Sequence, residues 1–121
     1  MIESYEAGKS GFTQIMHSDE WQICTISYAR QYSKEGFDHL KRHMKTDEVF
    51  CLIKGNAVVH TVNDEGKLES IPVEQHRIYC IRKKVWHYLE ISEDALLMVV
   101  ENAVVLPEDS ERMEIECLQQ N

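Results

Sequence analysis

At 121 residues the chain has the length of one domain, enough to bury a core without a disulfide framework. A formal charge of −8 excludes the basic surface that neutralises a nucleic-acid backbone, and Arg82, Lys83 and Lys84 are too few to reverse it. The longest apolar run, Ala95 to Val100, is far short of the roughly 20 residues that span a bilayer, so neither nucleic acid nor membrane is an expected partner.

Cys24, Cys51, Cys80 and Cys117 are widely spaced and form no CxxC pair. The N-terminus lacks the charged-then-apolar pattern of a secretion signal. Free thiols in a reducing cytoplasm are the expectation.

Residues 1–14 are polar and glycine-containing and read as an extended arm or a short edge strand. Gly8-Lys9-Ser10 within them is a turn rather than a phosphate loop, because the glycine required five positions before Gly8 is Glu3. Glu20 to Tyr28 alternates as a strand, with Trp21, Ile23, Thr25 and Ser27 on one side and Gln22, Cys24, Ile26 and Tyr28 on the other. Apolar groups on both faces suit one side turned to a barrel interior and the other to a second layer or a partner subunit.

Tyr32 to Lys45 is polar and broken by Gly36. His39 and His43 would share a face of a helix, but the glycine and the shortness of the segment argue against one. His39 is expected to face solvent.

Glu48 to Ile53 alternates next, with Glu48, Phe50 and Leu52 on one side and Val49, Cys51 and Ile53 on the other. The Lys54-Gly55-Asn56 turn leads into a strand from Ala57 to Val62. A carboxylate on the face of Phe and Leu is costly to bury unless it is paired, hydrogen-bonded or metal-bound. The plainer alternative leaves Glu48 at a wet rim. His60, inside the second strand, can face either way.

Asn63 to Lys67 is a hairpin connection. Leu68 to Val73 is a strand whose Pro72 places it at an edge. Ile78 to Ile81 and Val85 to Ile91 follow, the latter with His87, Leu89 and Ile91 on one side and Trp86, Tyr88 and Glu90 on the other. Ala95 to Leu106 reads as a central strand, or as two strands joined at Glu101-Asn102. The acidic tail, about 107–121, packs as a short strand or helix, or frays. About seven to nine short strands with no long helical pattern predict an antiparallel sandwich or barrel.

Within this frame His43, then four residues, Glu48, then six residues and Gly55 resemble the first motif of the cupin superfamily, His-x-His-x(3,4)-Glu-x(6)-Gly. Lys41 stands where that motif has its first histidine. Arg82 to His87 is similar to the second motif, Pro-x-Gly-x-x-His, with only His87 retained. The resemblance covers about residues 39–102. It implies an all-β double-stranded β-helix, or jelly-roll barrel, over a single domain, 1–121. It also implies that His43, Glu48 and His87 point inward as ligands for Fe, Mn, Ni or Zn in the divalent state.

Two functions fit the resemblance. One is a metal-dependent enzyme acting on a small acidic metabolite, with Lys41, His60, Tyr79, Arg82, Trp86 and Tyr88 as pocket groups and Lys41 or Arg82 pairing with a substrate carboxylate. The other is a metal-free barrel with no chemistry, a ligand-binding, sensory or structural dimer in which the histidines fill polar niches. A homodimer is implied either way, and the two-sided apolar pattern at Ile23/Ile26 and Val49/Ile53 agrees with it.

Overall fold

The computed structural model describes residues 1–103 and 107–119. Its strands are β1 (Gly11–His17), β2 (Trp21–Ser27), β3 (His39–His43), β4 (Glu48–Lys54), β5 (Ala57–Val62), β6 (Leu68–Val73), β7 (Ile78–Ile81), β8 (His87–Ile91), β9 (Leu96–Asn102) and β10 (Ser110–Glu114). Single 3-10 turns at Arg30–Tyr32 and Pro107–Asp109 and a short helix, α1 (Glu116–Gln119), complete the described elements.

The strands form two five-stranded sheets, ordered β1-β2-β9-β4-β7 and β10-β3-β8-β5-β6. All strand pairs are antiparallel. Apart from the hairpins β1-β2 and β5-β6, consecutive strands are split between the sheets, so the chain crosses repeatedly from one layer to the other as a jelly roll does.

Cross-strand register turns the alternation of each strand into rows across the first sheet. Ile26, Leu97 and Leu52 form one row and Cys24, Val99 and Phe50 the next. Leu97, Val99 and Cys24 are fully buried, and with Val59 and Ile91 from the second sheet they make the core. The following row on the same face is Gln22, Glu101 and Glu48. One face therefore passes from apolar to polar, and the polar row is where the site lies.

β5, β6 and β7 occupy the residues that alternation predicts, and β6 is an edge strand, as Pro72 requires. Among the described residues the strand count is ten rather than seven to nine. β3 escapes an apolar-periodicity reading because its sequence, HLKRH, is almost wholly polar, whereas the acidic tail, expected as a short strand or helix or as frayed chain, supplies both β10 and α1. In β3 the histidines and Lys41 share one face, while Leu40 on the other is fully buried. Of Ala95 to Leu106, β9 ends at Asn102, and positions 104–106 lie outside the described residues.

Gly55 closes the β4–β5 connection at φ +82°, and a Cβ there would meet Ala95 Cα at 2.6 Å. Both the backbone conformation and the space require glycine.

Candidate metal centre

His43 is the last residue of β3, Glu48 the first of β4 and His87 the first of β8. The connection Met44–Asp47 crosses between the sheets, so the two residues that flank it face each other across the cavity. His87 joins them because β8 pairs with β3 at a single position, Lys41 opposite His87.

Glu48 Oε2 lies 3.4 Å from His87 Nε2 and 3.7 Å from His43 Nε2. One ligand atom from each of the three residues falls within 4.8 Å of the others. Atoms sharing an ion at about 2.1 Å and near-tetrahedral or octahedral angles lie roughly 3.0–3.5 Å apart, and the two distances from Glu48 are near that spacing. Each imidazole is also fixed at its far nitrogen. His87 Nδ1 is 3.0 Å from the Val85 carbonyl, to which it can only donate, which leaves the Nε2 lone pair facing Glu48 in the neutral ring. His43 Nδ1 is 3.1 Å from Ser110 Oγ of β10. Such outer contacts orient metal-binding histidines.

Burial alone pushes the Glu48 carboxyl up, but when the His43 and His87 rings are protonated their hydrogen bonds and charge outweigh it and hold the group at about 2. The carboxylate is therefore ionised, as a ligand must be. In return, the hydrogen bond to Glu48 raises the His43 imidazole above its ordinary value, against a smaller opposing effect of burial. Two neutral-capable imidazoles and one ionised carboxylate form a donor set that fits a divalent transition metal.

The loop before His87 lacks the motif's proline and glycine but takes a left-handed turn at one position. Lys84, at the position of the motif glycine, has φ +71°, the left-handed conformation that glycine adopts freely. Its N–H donates to the His43 carbonyl at 2.6 Å. Asp47 accepts from Lys83 N at 2.8 Å and from Arg82 Nη1 at 3.2 Å. Backbone and side chain thus fasten this loop to β3 and to the start of β4, and His87 follows in place.

A cavity of about 470 Å³ opens beside the three residues. Phe12, Ile26, Phe50, Leu89 and Val99 supply much of its apolar wall, and Lys41 and Tyr88 also line it. His39, expected to face solvent, lines it too, with its side chain only 14% exposed, because β3 is a strand and puts His39, Lys41 and His43 on one face.

Four of the residues expected around the pocket lie elsewhere. His60 is on the opposite face of β5 from the core residues Ala57 and Val59, bonded to Ser70 Oγ at 2.8 Å and Glu90 at 3.1 Å and stacked on Phe37. Tyr79 stacks on Phe50 at 5.2 Å, and its hydroxyl accepts from Glu74 N. Arg82 is exposed and committed to Asp47. Trp86 lies 4.3 Å under the Arg42 guanidinium, away from the cavity.

Glu101, Gln31, Tyr32 and Arg112 also line the cavity, and none was singled out by the sequence reading. Glu101 stands directly opposite Glu48 in the β4–β9 ladder. Its Oε1 accepts from Gln22 Nε2 at 2.8 Å, and Gln22 Oε1 accepts from Gln14 Nε2 at 2.6 Å. Burial, and then the Glu48 charge, raise the Glu101 carboxyl. The signal was available: Glu101 shares the face of Leu97 and Val99, as Glu48 shares that of Phe50 and Leu52.

No protein-family model matches the sequence, and the curated proteins contain no match. Solved structures do match. A cupin-2 domain containing protein from Shewanella frigidimarina aligns with TM-score 0.58 at 19% identity, over 80% of this chain and 84% of that one. The chain has the cupin fold. Uridine-bound Streptomyces PAC13 aligns with TM-score 0.65 at 10% identity, over 94% of this chain and 92% of that one, and Pac13 is described as a nucleoside dehydratase. Oxalate oxidase holding glycolate aligns with TM-score 0.51 at 15% identity, over 78% of this chain and 45% of that one. At such identities the likeness is one of fold, and cupin barrels of this kind carry small ligands in unrelated chemistries.

Proposed function

We propose that this cupin holds a divalent transition metal on His43, Glu48 and His87 and takes a small acidic metabolite into the adjoining cavity. The observation that carries the reading is the convergence of the three donor atoms within 4.8 Å, with both imidazoles hydrogen-bonded at their far nitrogens. A metal held there supplies Lewis acidity toward a carbonyl, hydroxyl or carboxylate oxygen of the ligand. The apolar wall keeps water away from that oxygen and strengthens every charge interaction in the cavity. Glu101, bonded to Gln22 through Oε1, is the lining carboxyl best suited to hold a proton for transfer to or from the ligand.

The neighbouring solved structures hold uridine and glycolate, which supports a small-molecule ligand for this barrel as well. A metal-free ligand-binding barrel is the second reading, and one observation favours it. Lys41 lines the same cavity, one strand from His87, and an ammonium there opposes a cation.

Elemental mass spectrometry of the untagged protein separates the two. The expected result is about one transition metal per chain, lost in His87→Ala and in Glu48→Gln. Wild-type protein that stays free of metal even after reconstitution would sink the first reading and leave the second.

We assign the outer face of the β1-β2-β9-β4-β7 sheet to contact with a second copy of the chain. Met98, Cys51 and Ile78 form a cross-strand row there, with Met98 39% and Ile78 66% exposed. All four cysteines are free, which supports a reducing cytoplasm as the setting; secretion of the intact protein by its native cell would count against it. No described helix is long and apolar enough to cross a membrane.

A further inference from the structure

Lys41 and Arg112 face each other directly in the β3–β10 ladder, and Lys41 faces His87 directly in the β3–β8 contact. Arg112, Lys41 and His87 therefore form one row across three adjacent strands, on the face that lines the cavity. Like charges directly opposite one another in a sheet destabilise it. The usual remedy, a carboxylate between them, reaches only one of the two. Arg112 Nε bonds Glu114 at 2.7 Å and Nη2 lies 3.7 Å from Asp38, while among the described residues no carboxylate pairs with Lys41. A guanidinium has five N–H donors, so Arg112 is anchored from outside with donors to spare.

We infer that Lys41 and Arg112 form an anion subsite, and that the ligand is bifunctional: an oxygen at the metal end and a carboxylate or phosphate at this one. The inference rests on the metal reading above for the first end only. The cavity is electrostatically graded, with Glu48 and Glu101 at one end of its lining and, along the row leading away from His87, the charge of Lys41, unpaired among the described residues, beside an Arg112 that Glu114 and Asp38 already offset. The gradient fixes which way round an acidic ligand lies.

Neighbouring strands lie about 4.8 Å apart, so the cationic pair stands roughly 5–10 Å from His87. That span corresponds to about four to seven bonds between the metal-facing oxygen and the anionic group. Arg112 then acts on specificity from β10, a strand whose sequence gave no hint of a site. Lys41, at the position of a motif histidine, exchanges a place in the metal shell for a place in ligand recognition.

The test compares pairs of probes that differ only in the distal anion: 2-hydroxyglutarate against 2-hydroxypentanoate, and 3-phosphoglycerate against glycerate. Affinities are measured by calorimetry on both metal-loaded and metal-free protein, with metal content read separately by elemental analysis. The expected result is a preference of about tenfold or more for one distal anion, with the pair that shows it distinguishing carboxylate from phosphate. Lys41→Gln and Arg112→Gln should each reduce that preference at least about fivefold, and Lys41→Arg should keep it. Circular dichroism of each variant establishes that it is folded.

Equal affinity within both pairs, or a preference unchanged in folded Lys41→Gln and Arg112→Gln, overturns the subsite. Metal at the triad without any preference leaves the metal reading standing and removes this inference. A preference in protein that never takes up metal does the reverse.

Discussion

His43 and His87 each turn one ring nitrogen toward Glu48 and are fixed at the other, by Ser110 and the Val85 carbonyl respectively. The two outer contacts differ in kind. The carbonyl partner of His87 belongs to the backbone and survives any side-chain change, whereas that of His43 is a single hydroxyl on β10. Ser110→Ala should therefore weaken metal binding about 10- to 100-fold, the usual effect of removing an outer partner, while leaving the ligands themselves intact. Competition against a fluorescent chelator measures it. Affinity equal to wild type would show that His43 needs no support from β10.

At the scale of elements, the loop between β7 and β8 decides where His87 stands. It lacks the proline and glycine of the motif it resembles, yet Lys84 keeps the left-handed backbone at φ +71°. That conformation costs a non-glycine residue about 1–2 kcal/mol, and the bonds from Lys84 N to His43 and from Asp47 to Lys83 and Arg82 offset it. A β-branched residue suffers more there than lysine does. Lys84→Val should lower the stability to urea by about 1–2 kcal/mol, and Lys84→Gly should match or exceed wild type. Equal losses in both variants would mean that the lysine side chain, not the backbone, matters at this position.

For the whole molecule the two faces of the first sheet carry different burdens. The inner face changes from Leu97 and Leu52 to Glu101 and Glu48 within a few residues, joining a core to a polar cavity. The outer face keeps apolar side chains in the open at Met98, Ile78 and Ile53. If a second copy covers them, gel filtration at micromolar concentration gives the mass of two chains, and Ile78→Glu, by burying a charge in the contact, reduces it to that of one. A wild-type mass of one chain would remove the dimer assignment.

Alternation along the chain was sufficient for most strands, because apolar side chains at every second position have only one way to reach a common core. β5, β6 and β7 could be bounded from the residues alone, as could the inward face of β4 with its anomalous Glu48. The spacing of His43, Glu48 and Gly55 also pointed to one site. Strands that turn polar groups inward carry no such signal: β3 was invisible for that reason, and β10 was only one of three readings of the tail, its Ser110 and Arg112 unmarked.

What only the tertiary structure decided was register and neighbourhood. Register sets Glu101 opposite Glu48 and Arg112 opposite Lys41, although long stretches of chain separate the members of each pair. The direction of a strand's faces depends on its partners, which is why His60 and Trp86, plausible in sequence, turn away from the cavity while His39 turns into it. A sequence specifies which residues alternate; hydrogen-bonded pairing between distant segments specifies which of them meet.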